Sequence, residues 1–265
     1  MPHSDLPVDP PPQSLTRADG TVLAYYKTTA GKARTEVANP PGLVFLGGFM
    51  SDMSGSKAQA LEAYARARGR DFLRFDYRGH GASSGRFEEA TVGAWADDAV
   101  AVLDELTAGP QILVGFSMGG WIMLLAALAR PQRVAGLVGI AAAPDFTEDL
   151  IWARATTAQQ AALESLGYVD NPSDYSETPY RITRRLIEEG RRHLLLAKPI
   201  PLTCPVRLIH GLADADVPWQ TSLRLAEALE SRDVEVTLVK GGGHRLSEPQ
   251  DLARLEQVIE ALSAG

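Results

Sequence analysis

Ser117 stands in the pentapeptide Gly115-Phe116-Ser117-Met118-Gly119. A serine hydroxyl attacks a carbonyl only when a base takes its proton, so a histidine and an acid to orient it have to be found elsewhere in the chain. The pentapeptide follows the apolar segment Gln111-Ile-Leu-Val114 and leads directly into the apolar segment Met118 to Ala129. A strand-to-helix turn of this kind holds the serine in a strained backbone conformation, and glycines two residues to either side remove the side chains that would collide. The helix N-terminus behind it favours developing negative charge.

Five histidines are available: His3, His80, His193, His210 and His244. For a serine on such a turn the expected chain order is serine, acid, histidine. His244 alone follows the last expected strand, in the loop Gly241-Gly-Gly-His244, and is the expected base. His210 closes a strand and reads as a buried, hydrogen-bonded turn residue. The loop His210-Gly-Leu-Ala-Asp214-Ala-Asp216-Val-Pro218 offers two acids. Asp214, three residues past Gly211, is the expected one, with Asp216 shaping the turn or capping the next helix, and Asp145 is a third possibility. Two backbone amides are needed to hold an oxyanion. Met118, after the nucleophile, should give one, and Phe49, after Gly47-Gly48, the other.

The elements that would carry these groups alternate. Strands are expected at Leu23–Tyr26, Gly42–Leu46, Phe72–Phe75, Ile112–Gly115, Val134–Ile140, Val206–Ile209 and Val234–Val239. Helices are expected around Leu61 to Ala65, over Thr91–Leu106, Met118–Ala129 and Thr221–Leu229, and at the C-terminus. There Ser247 reads as N-cap with Gln250 closing a capping box, and Leu252, Leu255, Ile259 and Leu262 form the buried stripe. Such alternation calls for an α/β fold with a mostly parallel sheet flanked by helices. Between Pro144 and Pro201 the rhythm breaks and no convincing strand is visible. The expected organisation is a disordered tail over 1–13, a core over 14–143 and 202–265, and a small helical cap inserted at 144–201.

Composition narrows the function. A net charge of -7 offers nothing to nucleic-acid phosphates. No apolar run is long enough to span a bilayer. Cys204 is the only cysteine and reads as a packed small hydrophobe. The loop from Asp76 to Gly85 lacks the lysine and glycine spacing of a P-loop, so Asp76 and Arg78 are expected to brace neighbouring loops. No metal-ligand spacing or dinucleotide fingerprint occurs, and no cofactor is expected. Met1 to Pro12 lacks the basic start and apolar stretch of a targeting segment, which points to a cytoplasmic protein.

Several segments go beyond this general pattern: Gly48-Phe-Met-Ser-Asp-Met-Ser-Gly-Ser-Lys-Ala58, Arg74-Phe-Asp-Tyr-Arg-Gly79 and Gly109 through Trp121, followed by Asp174-Tyr-Ser-Glu177, Pro199-Ile-Pro201, Cys204 through Gly211 and Val217-Pro-Trp219. Through them the chain resembles the α/β-hydrolase superfamily, and within it the abhydrolase-domain family of the mitochondrial palmitoyl-protein thioesterase and acyl-glucuronide esterase. The likeness runs from about Gly42 to Leu262. It implies serine-hydrolase activity on acyl esters or thioesters, of small molecules or acylated proteins, and matches Ser117, Asp214 and His244 to the family triad. The glycines before His244 stand where the family has bulkier residues, so a different substrate mouth is expected. Met50, Met53 and Met118 flank the expected site, and Phe146, Leu150, Ile151 and Trp152 open the cap, so an acyl pocket is expected there. The alternatives are other chemistry on the same triad, such as carbon–carbon bond hydrolysis or perhydrolysis, and a non-catalytic binding protein. Nothing in the sequence speaks to oligomeric state.

Overall fold

Strand β3 (Gly42–Leu46) shows why the apolar runs of this sequence are continuous rather than alternating. Leu43 and Phe45 pack into one hydrophobic cluster and Val44 and Leu46 into another, because helices cover both faces of the sheet. The same division splits Ile112 and Val114 from Leu113, and Val138 and Ile140 from Leu137. In the computed structural model, residues 10–30, 40–171 and 179–264 are described.

The other strands are β1 (Gln13–Thr16), β2 (Val22–Thr28), β4 (Phe72–Phe75), β5 (Gln111–Phe116) and β6 (Val134–Ile140), with β7 to β10 following in the second half of the chain. Of these β9 (Val206–Gly211) and β10 (Val234–Val239) complete an eight-stranded sheet in the order β1-β2-β4-β3-β5-β6-β9-β10. Pairing is parallel from β4 to β10, and β1 and β2 run antiparallel at one edge. Helices α1 (Ser56–Ala67) and α7 (Pro249–Ala264) cover one face, with Leu61, Leu255 and Ile259 buried there. On the other lie α2 (Val92–Leu106), α3 (Met118–Ala129) and α6 (Gln220–Ala228), contributing Trp95, Trp121 and Leu225. The carboxyl ends of the central parallel strands all open on one edge, where loops can converge.

Local sequence signals miss in three places. The C-terminal helix begins at Pro249, one residue later than a Ser247 cap would place it. The Glu248 amide donates to the Asp251 carboxylate, and the Asp251 and Leu252 amides donate to the Glu248 carbonyl. The side chain that accepts an amide ahead of the helix is thus that of Asp251 and not Gln250. Pro249 sets the frame, since its ring suits the first helical position and needs no N–H there.

The segment expected as a helical cap contains a π-helical turn (Thr147–Trp152), α4 (Thr157–Leu166) and α5 (Arg184–Gly190). It also contains an antiparallel pair that the sequence reading did not anticipate, β7 (Tyr168–Asn171) and β8 (Tyr180–Thr183). Of those eight positions only Ile182 is buried, so no apolar alternation announces the pair. It is held instead by Arg181, which pairs with Asp170 and lies over the Tyr168 ring. The segment is tied to the core by the Trp121 indole, which donates to the His193 carbonyl, and by the Gly93 amide, which donates to Glu189. Most of the expected N-terminal tail and the resemblance segment at Asp174 to Glu177 lie outside the described residues. Gln13, placed at the end of that tail, is the first residue of β1.

Candidate active site

Strand β5 ends at Phe116 and α3 begins at Met118, so Ser117 makes the turn alone. Its φ of 53° and ψ of -119° put a side-chain-bearing residue in a conformation that costs on the order of 1–3 kcal/mol and has to be imposed by its surroundings. The surroundings are tight. A Cβ on Gly119 would fall 2.1 Å from the Leu46 carbonyl oxygen, and one on Gly115 would fall 2.5 Å from the Gly119 oxygen. The Ser117 amide donates to the Ile140 carbonyl at 3.0 Å, and the Ser117 carbonyl accepts from Ala143 at 3.0 Å.

His244 reaches Ser117 from the loop after β10, with 3.0 Å between Nε2 and Oγ. Its Nδ1 lies 2.8 Å from Oδ2 of Asp214. A carboxylate only accepts, so Nδ1 carries the proton and Nε2 is left to accept from the serine hydroxyl. The two loops meet through backbone: a Cβ on Gly211 would fall 2.1 Å from the Gly242 oxygen, and the Ala213 amide donates to that oxygen at 2.9 Å. Gly211, at the end of β9, therefore allows the approach that brings acid and imidazole together.

Asp214 is fully satisfied. Its Oδ1 accepts the amides of Asp216 and Val217, each at 2.9 Å, and its Oδ2 faces the rings of His244 and His210. Burial alone would raise its pKa, but the hydrogen bonds from His210 and His244 and the His244 charge outweigh this and hold the carboxyl well below the usual carboxylate range. The Asp216 amide donates to Asp214, and its carbonyl accepts from Arg154. The Asp145 oxygens accept the Leu195 and Leu196 amides at 2.8 Å each, anchoring that segment beside the end of β6.

Met118 opens α3, so its amide has no carbonyl within the helix to bond. Phe49 lies in the loop after β3, which touches the elbow: a Cβ on Gly48 would fall 3.1 Å from the Phe116 ring. That loop has a support absent from the sequence reading. The Met50 amide, at a residue with φ of 55°, donates to Nε2 of buried His80 at 3.3 Å. Burial pushes the His80 pKa down to about 4, against the Arg78 carbonyl at Nδ1, so the ring stays a neutral acceptor. Asp76 and Arg78 brace loops as expected, Asp76 through the Met53 and Ala82 amides and Arg78 through Asp98.

A cavity of about 360 Å³ opens beside Ser117 and His244. Phe49, Met50, Phe116 and Tyr180 give it apolar walls, and Ser51, Asp216 and Arg245 add polar ones. Of the residues expected around an acyl pocket, Met50 lines this cavity, and Met53, Met118, Phe146, Leu150, Ile151 and Trp152 are placed elsewhere. Met53 and Phe146 are buried, Met53 with its backbone held by Asp76 and Arg74 and Phe146 against Phe49 and Trp121. Leu150 and Ile151 pack on the core, and Trp152 lies under Arg191. The contribution of the inserted segment is Tyr180, from the unanticipated strand β8.

Among the described residues, Asp214, Asp216 and His244 are the one group whose ligand atoms lie close enough to share a metal ion, within 4.8 Å. The four donors already on Asp214 use the lone-pair sites of its carboxylate, so the arrangement suits proton transfer rather than metal ligation. Cys204 is half-buried on the core, and burial raises its thiol pKa. No helix among the described residues is long and apolar enough to cross a membrane.

The alpha/beta hydrolase family matches residues 43–255 of the chain. The Bos taurus protein named palmitoyl-protein thioesterase ABHD10, mitochondrial, is 43% identical over 249 residues, 94% of this chain and 78% of that protein. The Homo sapiens protein of the same name is 42% identical over the same 94% of this chain and 78% of its own length. The solved structure of alpha/beta hydrolase domain-containing protein 10 from mouse superimposes with a TM-score of 0.85 at 42% identity, covering 95% of this chain and 97% of that one. The word mitochondrial in the names of these relatives overturns the cytoplasmic expectation. The expectation rested on the composition of Met1 to Pro12, and that short stretch does not decide where a folded hydrolase domain works. The chain belongs to the α/β-hydrolase family, in the group that contains palmitoyl-protein thioesterase ABHD10.

Proposed function

We propose that the protein is a serine hydrolase that cleaves acyl thioesters and esters through an acyl-enzyme on Ser117. The observation that carries this reading is the unbroken chain of hydrogen bonds from Ser117 Oγ through His244 to Asp214. His244 takes the serine proton as Oγ attacks the acyl carbonyl, and Asp214 holds the ring in the required tautomer and stabilises the imidazolium. The amides of Met118 and Phe49 receive the oxyanion. His244 then passes its proton to the departing thiol or alcohol, and water, activated by the same ring, releases the acid.

The substrate class is a fatty-acyl thioester, on a protein cysteine or a small thiol, with acyl esters as slower relatives. Two observations support it: the apolar walls of Phe49, Met50, Phe116 and Tyr180, and the name palmitoyl-protein thioesterase borne by proteins more than two-fifths identical to this one. A fluorophosphonate probe should label Ser117, because only an activated serine reacts. A panel of p-nitrophenyl esters and acyl thioesters across chain lengths should then show turnover that favours thioesters of longer acyl groups. Absence of labelling would overturn the reading.

A further inference from the structure

Lys57 is the second residue of α1, and its side chain is almost wholly buried. This is a costly place for an ammonium. The helix N-terminus carries positive partial charge, and the first turn of α1 holds no acidic residue to offset it. The Arg245 guanidinium is close enough to act on it electrostatically, and burial removes water from it. Nothing in the packing of α1 on the sheet needs a cation there, because Ala58, Leu61 and Ala65 supply that contact.

What the ammonium touches is specific. Nζ lies 3.9 Å from the centre of the Phe116 ring and donates a hydrogen bond to the Arg245 carbonyl. Phe116 immediately precedes Ser117, and Arg245 immediately follows His244. The Phe116 ring in turn lies 5.1 Å from the His244 ring. The loop that carries His244 enters through Gly241, Gly242 and Gly243, and glycines do little to hold a loop in one conformation. On the near side of His244 the loop is fixed at the Gly242 oxygen by Ala213, and on the far side Lys57 fixes it at Arg245.

We infer that Lys57 is a positioning residue for the hydrolytic reaction, a buried cation that clamps the nucleophile elbow to the histidine loop through the Phe116 face and the Arg245 carbonyl. The inference rests on the proposed roles of Ser117 and His244. Burial and, secondarily, the Arg245 charge bring the Lys57 pKa down to about 8, with Asp251 acting in the opposite sense. The charged groups around it are Arg245 on the histidine loop, Asp251 on α7 and Asp52, which lines the same cavity before α1, with the His244 ring across Phe116. Above that pH the amine is neutral, the cation–π attraction is lost, and the clamp loosens.

The test uses the rate of Ser117 labelling by a fluorophosphonate, which reads the serine–histidine geometry without any assumption about substrate. In the wild type the rate should fall at least about threefold as pH rises from one unit below to one and a half above about 8. Lys57→Met keeps the length of the side chain and removes the charge. It should slow labelling at neutral pH by roughly tenfold or more, with no alkaline fall and no loss of melting temperature. Lys57→Arg, which stays charged, should recover most of the neutral-pH rate and also lack the fall. A wild-type rate that holds through the alkaline range overturns the inference, as does a Lys57→Met protein that labels at the wild-type rate or keeps the alkaline fall. Should Lys57→Met fail to fold, the wild-type and Lys57→Arg profiles still decide. A wild type that does not label at all defeats the proposed function instead, so the two failures are distinct.

Discussion

His210 and Asp214, four residues apart across the end of β9, meet at 3.1 Å between Nε2 and Oδ2. The same nitrogen lies 3.1 Å from the Val217 carbonyl, so it faces two acceptors and carries a proton, while Nδ1 lies 2.7 Å from the Ser222 hydroxyl. The acid is thus gripped by two histidines on one oxygen and by two amides on the other. His210 is fully buried and does not touch the cavity, so it orients the carboxylate that orients His244.

Exchange of the two acids distinguishes their roles. Asp214→Asn should lower turnover by about four orders of magnitude, since an amide favours the wrong tautomer of His244. It should also lower stability, because the carboxylate holds the turn through Asp216 and Val217. Asp216→Asn should change the rate less than about tenfold, because the Oγ–Nε2 and Nδ1–Oδ2 bonds lead from Ser117 to Asp214 and a turn role survives in asparagine. Steady-state kinetics with thermal melts on both proteins check this, and a crippled Asp216→Asn beside an active Asp214→Asn would reverse the assignment.

Ser117→Ala should abolish turnover and probe labelling while the melting temperature stays close to that of the wild type. The turn is braced by backbone bonds to Ile140 and Ala143, and these survive the substitution. Residual hydrolysis near the wild-type rate would place the nucleophile elsewhere.

His80 predicts a sensitivity to acid. Its folded pKa, about 4, lies below the unfolded value of roughly 6.5. Between the two the unfolded chain binds the proton and the folded one does not, so stability falls as pH drops through this window. The full difference is on the order of 3 kcal/mol. His80→Gln retains an acceptor for the Met50 amide but cannot charge, so urea titrations should show a weaker loss over the window than in the wild type. Leaving out the acceptor, as in His80→Phe, should lower kcat more than it changes KM, because the Phe49 loop loses its hold.

Gly119→Ala should destabilise the fold by about 3 kcal/mol or more, since the new Cβ would meet the Leu46 and Gly47 carbonyl oxygens, which are backbone and cannot swing aside. Gly243→Ala meets nothing within 4 Å, and its effect on stability should stay below about 1 kcal/mol. Equal melting temperatures for the two variants would show that the elbow has more room than its geometry indicates.

Strands β3, β4 and β6 and helix α3 were legible residue for residue, because both faces of the sheet are covered there and apolar runs have no competing reading. The edge strand β10, which buries no residue fully, was legible from its valines and threonine. Ser117 and His244 were also marked locally, one by glycines flanking a strand-to-helix turn and the other by its place after the last strand. The start of α7 was misread by one residue because Ser247 and Glu248 both precede Pro249 plausibly, and only the hydrogen bond from Glu248 to Asp251 selects between them. The β7–β8 pair left no signal, because the strands bury almost nothing and are joined by an ion pair and a cation–π contact. The cavity walls were misplaced for a related reason: which face of Met53 or Phe146 meets solvent depends on neighbours that arrive from Asp76 and Trp121. The contacts of His80 with Met50, and of Lys57 with Phe116 and Arg245, span 30 residues or more. Periodicity and capping report on interactions within a few residues, so the sequence by itself determined most of the elements and the candidate groups they carry. Only the tertiary structure decided which buried side chains hold those groups in place, because packing and hydrogen bonding between distant segments leave no trace in local spacing.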